Sequence, residues 1–516
     1  KPLPACATPV AEGMKIFTKS PRAIAAQKAT MEFLLINHPL DCPICDQGGE
    51  CELQDLAMGF GRDIARYTER KRVVKDQNLG PLVSTDMTRC IHCTRCVRFG
   101  QEIAGIQELG TVGRGDRMQI STYIEKSVDH ELSGNIIDLC PVGALNNKAY
   151  RYRARAWEMT QHPLVSPHDC AGTNLYGHVL RGRLMRVVPR ANEAINETWI
   201  ADRDRYSCEG LYADDRAGKP MVREGGTWRE VDWETALAAA ATGLQKVVRE
   251  HGSGQVGMLV SPAASLEEGY LAARIARGLG SENVDHRLRR VDFRDQAGDP
   301  LAPTLGCSIA DLEQVSALLL VGSNLRQDVP IIAHRVRKGV LRRGTRVAFV
   351  NPRPIDLLFP VEAQLTSNGY GMAQHLAAIL AAALRASASP LPAAVGPSLD
   401  GIVPNAEHQH VARMLTEGDL RVILLGALAE RHVAYSEIRA LAAALATVTG
   451  ARLGFLPEGA NAVGASLAGV TPHRGVGGRG VAKPGLAAAE MIGARLRAYV
   501  LVGGIETEDL PASFGV

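Results

Sequence analysis

Residues 38 to 51 read "HPLDCPICDQGGEC". Cys42, Cys45 and Cys51 crowd into this stretch, with His38 four residues ahead of the first and Gly48 and Gly49 inside the last gap. Thiolate and imidazole are soft-metal ligands, and little here could serve a hydrophobic core. Ligand geometry, rather than burial, has to set the local fold.

A second group lies downstream. "CIHCTRC" supplies Cys90, Cys93 and Cys96, and "DLCPVGAL" supplies Cys140 followed by Pro141. Bacterial ferredoxins use C-x-x-C-x-x-C-x-x-x-C-P, with the fourth cysteine serving a second cluster. Here that fourth position is Gly100. The triplet therefore has to recruit a distant ligand, and Cys140 with its following proline is the natural one. Four thiolates suit a [4Fe-4S] cube. A four-cysteine zinc site is the competing reading, against which stand the third cysteine at the same spacing and the Cys-Pro ending.

With Cys140 assigned to that set, Cys42, Cys45 and Cys51 need a local fourth partner, and His38 fits. A lone histidine is ordinarily a satisfied core or surface residue; three cysteines short of one ligand change that. Gly48 and Gly49 are expected to let the backbone turn tightly and to aim their amides at cluster sulfurs. An imidazole in place of a thiolate removes one negative charge and should ease reduction, as in Rieske centres. Arg89, Arg95 and Arg98 flank the second group and could offset its charge, although solvated surface positions are the expectation.

The chain has 516 residues, too many for one core. Its composition, 46% hydrophobic and 22% charged, is that of a folded protein. A net charge of +3 and 5% aromatics give no support to nucleic-acid binding. The most hydrophobic helix candidate, "GMAQHLAAILAAALRASA" at 371–388, carries His375 and Arg385, so no membrane span is expected and membrane contact would be indirect. Eight of eleven cysteines fall within residues 6–140. That clustering, in a chain without a visible signal peptide, favours metal ligation over a disulfide scaffold. Neither end, "KPLPACATPV" nor "PASFGV", reads as a natural terminus.

"AIAAQKATMEFLLINH" predicts a helix ending before Pro39, which places His38 at a helix-to-loop junction. "YGHVLRGRLMRVVPR" predicts a β-hairpin about Arg181–Gly182. From about 219 the pattern changes. Apolar runs at 256–260, 317–322, 346–350, 421–426, 452–456 and 498–504 alternate with amphipathic helices at 265–280, 330–344 and 435–450. Such alternation predicts a parallel sheet covered on both faces. "SASPLPAAVGP" at 387–397 reads as a surface loop.

The motif H-x3-C-x2-C-x5-C, then C-x2-C-x2-C and a distant C-P, resembles the large iron-sulfur subunit (the 75 kDa subunit) of respiratory NADH:quinone oxidoreductase, complex I. "PACATPV", "GTVGRGD", "YIEKSVDHELSGNIIDLCPVGAL" and "KPMVREGG" carry the same resemblance, which is most specific up to about residue 225. It implies a multidomain α+β and α/β chain: 1–30, the tail of a [2Fe-2S] ferredoxin-like domain; 31–75, the histidine-plus-three-cysteine [4Fe-4S] module; 76–160, a ferredoxin-like [4Fe-4S] module; 161–218, a small 4Fe-4S-like domain without a full ligand set; and 219–516, a molybdopterin-oxidoreductase-like α/β body, expected to be incomplete at its carboxyl end.

The resemblance further implies that Cys6 is the last ligand of a [2Fe-2S] cluster whose other ligands lie outside this sequence. Two [4Fe-4S] clusters are expected within it. Some bacterial relatives hold another cube in the small domain, but Cys170 and Cys208 alone cannot make one and are expected, with Cys307, to be structural. Nothing around Cys307 suggests a molybdenum site, the Gly-Ser-Asn turn at 322–324 reads as an ordinary strand-to-helix turn, and no glycine pattern fits nicotinamide binding. The implied role is electron relay within an NADH dehydrogenase. Its partners would be the flavin- and NADH-binding subunit and other iron-sulfur subunits of the peripheral arm, with the membrane arm reached indirectly. It would sit peripherally on the cytoplasmic face of a bacterial inner membrane, or alternatively on the matrix side of the mitochondrial one. A formate dehydrogenase-like or hydrogenase-linked subunit and a zinc-stabilised scaffold are the other readings.

Overall fold

The first 208 residues, rich in turns, build short elements, whereas the apolar runs beyond build sheets. The computed structural model describes residues 1–123, 126–387, 390, 395–506 and 509–510. The chain divides into two units, one of residues 1–164, 175–190 and 199–208, the other of 165–174, 191–198 and 209–516.

In the first unit, helix α1 (Pro21–Leu35) begins at Ser20, whose hydroxyl accepts from the Ala23 N–H at 3.2 Å, with proline at the first helical position. It ends four residues before Pro39, leaving His38 in the following loop. Helix α2 (Glu52–Phe60) is capped by Cys51. Strand β1 (Val83–Thr85) leads into "CIHCTRC", which continues into a single turn, α3 (Arg95–Arg98). A hairpin follows, β2 (Leu109–Val112) and β3 (Gln119–Thr122). Helix α4 (Asn135–Leu139) then delivers Cys140, and β4 (Leu145–Asn147) pairs antiparallel with β1, Thr85 opposite Leu145. That pairing joins the loops of Cys90 and Cys140 across fifty residues of sequence.

Strands β5 (Thr160–Val165), β6 (Asn174–Leu180) and β7 (Arg183–Pro189) form one sheet, in which β6 and β7 are the expected hairpin turning at Arg181–Gly182. Cys208 packs with Leu175, Val187 and Ile200 in a small core.

In the second unit β8 (Met221–Glu224) and β9 (Thr227–Glu230) make a hairpin. All six apolar runs are strands, and all pair in parallel. They divide into two sheets and not one. The smaller holds β10 (Val256–Val260), β11 (Val284–Asp285) and β17 (Ala498–Val502) in the order β11-β10-β17. The larger runs β14-β13-β12-β15-β16, built from β12 (Ala317–Val321), β13 (Arg346–Asn351), β14 (Ala363–Thr366), β15 (Arg421–Leu425) and β16 (Arg452–Phe455). The two strands without an apolar run are β11, only two residues long, and β14, whose burial alternates.

Leu318, Leu319 and Leu320 are all fully buried, so both faces of the larger sheet are covered. The helix Gly371–Ser387 packs there through Leu376, Ile379 and Leu380, and Tyr435–Thr449 through Ile438, Leu441 and Leu445. Among the described residues no helix is long and apolar enough to cross a membrane. Most of the Pro- and Ala-rich stretch at 387–397 lies outside the described residues.

Candidate metal centres

The second cysteine set comes together around one pocket. Cys90, Cys93, Cys96 and Cys140 line it with the apolar side chains of Met87, Ile91, Ile120, Val142 and Leu145. Local backbone explains how three thiols from seven residues reach one space. His92 and Thr94, the residues flanking Cys93, both take left-handed conformations, φ 57° and 61°. Each is a position that costs a non-glycine residue on the order of 1 kcal/mol, and such strain gathers at functional sites.

Burial pushes the Cys96 thiol up to about 12 and the Cys140 thiol up to about 11. At Cys140 the backbone N–H groups of Val142, Leu145 and Ala144 pull the other way. A buried sulfur ringed by amides is poor at holding a free negative charge and well prepared to share one with a metal. At Cys90 burial raises the thiol against a bond from the His92 N–H at 3.4 Å.

The first set occupies the loop between α1 and α2. Cys42 is exposed, and Cys45 and Cys51 are buried. The loop is wound by its own amides, with Cys45 N–H donating to the Asp41 carbonyl at 2.8 Å and Gly48 N–H to the Cys45 carbonyl at 2.9 Å. Gly49 supplies the expected turn at φ 92°, and a side-chain carbon there would lie 2.3 Å from the Trp157 ring. The expectation that both glycine amides aim at sulfur does not hold. Gly48 donates to the Cys45 carbonyl, and Gly49 donates to Gln54 Oε1 at 3.1 Å. The amides on sulfur belong to Gln54, which donates to Cys51 Sγ at 3.4 Å in the first turn of α2, to Leu53 at the same sulfur, and to Gln47 at Cys45.

His38 Nδ1 is buried without a hydrogen-bond partner. Burial, with the Lys71 ammonium nearby, holds the ring below its ordinary pKa and so neutral at pH 7. A neutral imidazole with a bare buried nitrogen is what ligation requires.

The two sets share a wall, the segment from Cys140 to Gly143. The Cys51 thiol donates to the Pro141 carbonyl at 3.5 Å, and a side-chain carbon on Gly143 would sit 2.1 Å from Cys45 Sγ. In the sequence "DLCPVGAL" points to Cys140 alone; the intimacy of Gly143 with the other set has no local signal. Nor does any motif mark Arg155, which donates to the Pro43 and Cys45 carbonyls.

Of the three flanking arginines only Arg98 is exposed as expected. Arg95 makes two bonds to Glu52, at 2.7 and 2.8 Å. Arg89 is 3% exposed, because Asp41 and Asp86 neutralise it inside the fold. No three His, Cys, Asp or Glu side chains among the described residues close on the point a single ion would occupy. Elsewhere Cys6 is exposed on a short turn, Cys170 is half-buried, and burial pushes Cys307 up to about 11.

More than half of the chain, residues 216–502, matches the molybdopterin oxidoreductase family. The chain belongs to that family. Its amino-terminal part matches three iron-sulfur regions: the NADH-ubiquinone oxidoreductase-G iron-sulfur binding region over 27–66, the ferredoxin-like domain of NADH-quinone oxidoreductase subunit 3 over 80–146, and the NDSU1/NuoG-like 4Fe-4S domain of NADH-ubiquinone oxidoreductase over 165–209. Within the molybdopterin oxidoreductases it therefore groups with the large iron-sulfur subunit of NADH-quinone oxidoreductase.

Similar proteins include the NADH-ubiquinone oxidoreductase 75 kDa subunit of Reclinomonas americana, 42% identical over 68% of this chain and 52% of that one. The corresponding NADH-quinone oxidoreductase G-subunit of Rickettsia felis is 43% identical over 67% and 51%. The chain thus spans about half the length of the curated relatives it matches. A solved NAD+-reducing [NiFe]-hydrogenase, in its H2-reduced state, is 26% identical over 29% of this chain and 65% of that one, with a TM-score of 0.26.

Proposed function

We propose that this member of the family is an electron-transfer subunit of an NADH:quinone oxidoreductase, holding one [4Fe-4S] cluster on His38, Cys42, Cys45 and Cys51 and another on Cys90, Cys93, Cys96 and Cys140. The observation that carries the reading is the convergence of Cys90, Cys93, Cys96 and Cys140 on one apolar pocket. A zinc ion bonded at about 2.3 Å draws its thiolates close together. A multi-iron core is served by thiolates gathered around one larger pocket.

What the clusters supply when bound is reversible one-electron transfer, between a flavin- and NADH-binding subunit and further iron-sulfur subunits that lead to quinone. The residues do the rest. Cys45, Cys51 and Cys140 are buried and keep water from the sulfurs. The amides on Cys51, Cys90 and Cys140 stabilise the bound thiolates. None of these side chains performs acid-base or nucleophilic work. The organisation proposed is 1–30, 31–75, 76–160, 161–218 and 219–516, with Cys6 as the last ligand of a [2Fe-2S] cluster completed by residues outside this sequence. The small domain holds no cluster. The site of action is the cytoplasmic face of a bacterial inner membrane, reached through partner subunits.

Iron and acid-labile sulfide analysis of the purified chain tests this. About eight irons are expected from the two cubes, falling by half in Cys96→Ala and again by half of the total in Cys45→Ala. A colourless protein carrying zinc would overturn the reading, and bound molybdenum or pterin would favour a formate dehydrogenase-like subunit.

A further inference from the structure

Arg89 is the residue immediately before Cys90, so the chain order assigns its charge to the second cluster. Its guanidinium goes elsewhere. Nε donates to Asp41 at 3.0 Å, next to Cys42; Nη1 donates to Asp86 at 2.8 Å and to the Gly143 carbonyl at 3.4 Å. Gly143 is the residue whose backbone lies against Cys45 Sγ. Asp86 is held in turn by Arg151 at 2.7 Å and by the Asn146 amide at 3.2 Å. At 3% exposure the Arg89 guanidinium is met by the Asp41 and Asp86 carboxylates and by the Gly143 carbonyl. A guanidinium so paired stays charged, and its fork spans the Asp41 loop and the Gly143 loop.

We infer that Arg89 is a positioning and charge-tuning residue for the His38–Cys51 cluster, and not for the Cys90 cluster beside which its backbone runs. The inference rests on the ligand assignment above. Two physical effects carry it. The fork ties the Asp41 end of the first ligand loop to the Gly143 backbone that walls Cys45, so the loop is pre-shaped before metal arrives. Its fixed positive charge also favours the reduced, more negative cluster. Taking away Arg89 removes one fixed positive charge beside Cys42 and Cys45, which disfavours the added electron.

The test is an EPR-monitored redox titration of the full chain, with iron analysis, comparing wild type, Arg89→Gln, Arg89→Lys and Asp41→Asn. The signal that changes in His38→Cys identifies the first cluster. In Arg89→Gln the midpoint of that signal should shift to lower potential while the other cluster's stays in place. Arg89→Lys, which keeps the charge, should restore most of the shift, and Asp41→Asn should move it upward. If Arg89→Gln instead assembles poorly, about half of the iron should be lost, and lost from the first cluster alone. A shift or an iron loss confined to the Cys90 cluster, or equal in both, overturns the inference, as does an unchanged midpoint at full iron content. Absence of both cluster signals from the wild-type chain would instead overturn the ligand assignment itself.

Discussion

Cys51 and Pro141 meet across ninety residues of sequence: the Cys51 thiol donates to the Pro141 carbonyl at 3.5 Å, while the neighbour of Pro141 is Cys140. One cysteine from each ligand set is thus separated by a single residue's backbone and one hydrogen bond. The Leu53 N–H reaches the same carbonyl at 3.5 Å and fixes the start of α2 against this wall. Such a wall makes the two sets sensitive to small changes in the segment they share.

Gly143→Ala is the sharpest of these. The added carbon would stand 2.1 Å from Cys45 Sγ, far inside contact distance, with the sulfur anchored in a buried loop. The expected result is loss of iron from the His38 set with the Cys90 set retained. Iron analysis giving the wild-type count would refute it.

His38→Cys exchanges a neutral ligand for a thiolate. The cluster should still assemble, and its midpoint should fall because one more negative charge surrounds the core. A redox titration in which the midpoint holds steady or rises would count against His38 as a ligand.

His178 offers a pH test. Burial first, and the neighbouring Arg186 guanidinium second, push it down to about 4. Arg186 Nε donates to its Nδ1 at 3.0 Å, so the ring is held neutral. The unfolded chain binds a proton near pH 6.5. Between about pH 6.5 and 4 the unfolded state therefore holds more protons, and stability is lost as the pH falls through that window. Denaturant melts should show a steeper decline for wild type than for His178→Gln, and equal slopes would refute this.

In the second unit Glu197 accepts from His334 at 2.9 Å and from Arg335 at 3.2 Å, and Lys338 bonds the same carboxylate. Glu313 also serves Arg335 and Lys338. Glu197→Ala would leave the mostly buried cations one carboxylate short. A loss of roughly 3 kcal/mol is expected, read from equilibrium unfolding, against little change for Glu230→Ala, which removes an exposed ion pair with Lys219.

Leu319 stands at the centre of the larger sheet with no exposure. Leu319→Ala should cost about 3 kcal/mol through lost transfer energy and the cavity left behind. A change below about 1 kcal/mol would mean the core collapses around the gap.

Much of this molecule could be read locally. The α1 boundary follows from Ser20, Pro21 and Pro39, and the six apolar runs became strands because a stretch such as Ala317–Val321, apolar at every position, can satisfy itself only inside a sheet covered on both faces. The spacing of Cys90, Cys93 and Cys96 likewise speaks of one shared centre, since tight x-x gaps bring thiols together whatever surrounds them. Those are short-range properties, fixed by neighbours within a turn or two.

Tertiary structure decided the rest. Arg89 looks like a surface cation of the second ligand loop until Asp41 and Asp86 are seen to take it inside, toward the first. Gly143 has no motif of its own; its missing side chain matters only because Cys45 packs against it. The split of the parallel strands into two sheets depends on β17 pairing with β10 across more than two hundred residues, a partnership that no local pattern encodes. Ligand chemistry and strand hydrophobicity are written into successive residues, whereas charge placement, wall-sharing and sheet membership arise only when distant segments exclude water together.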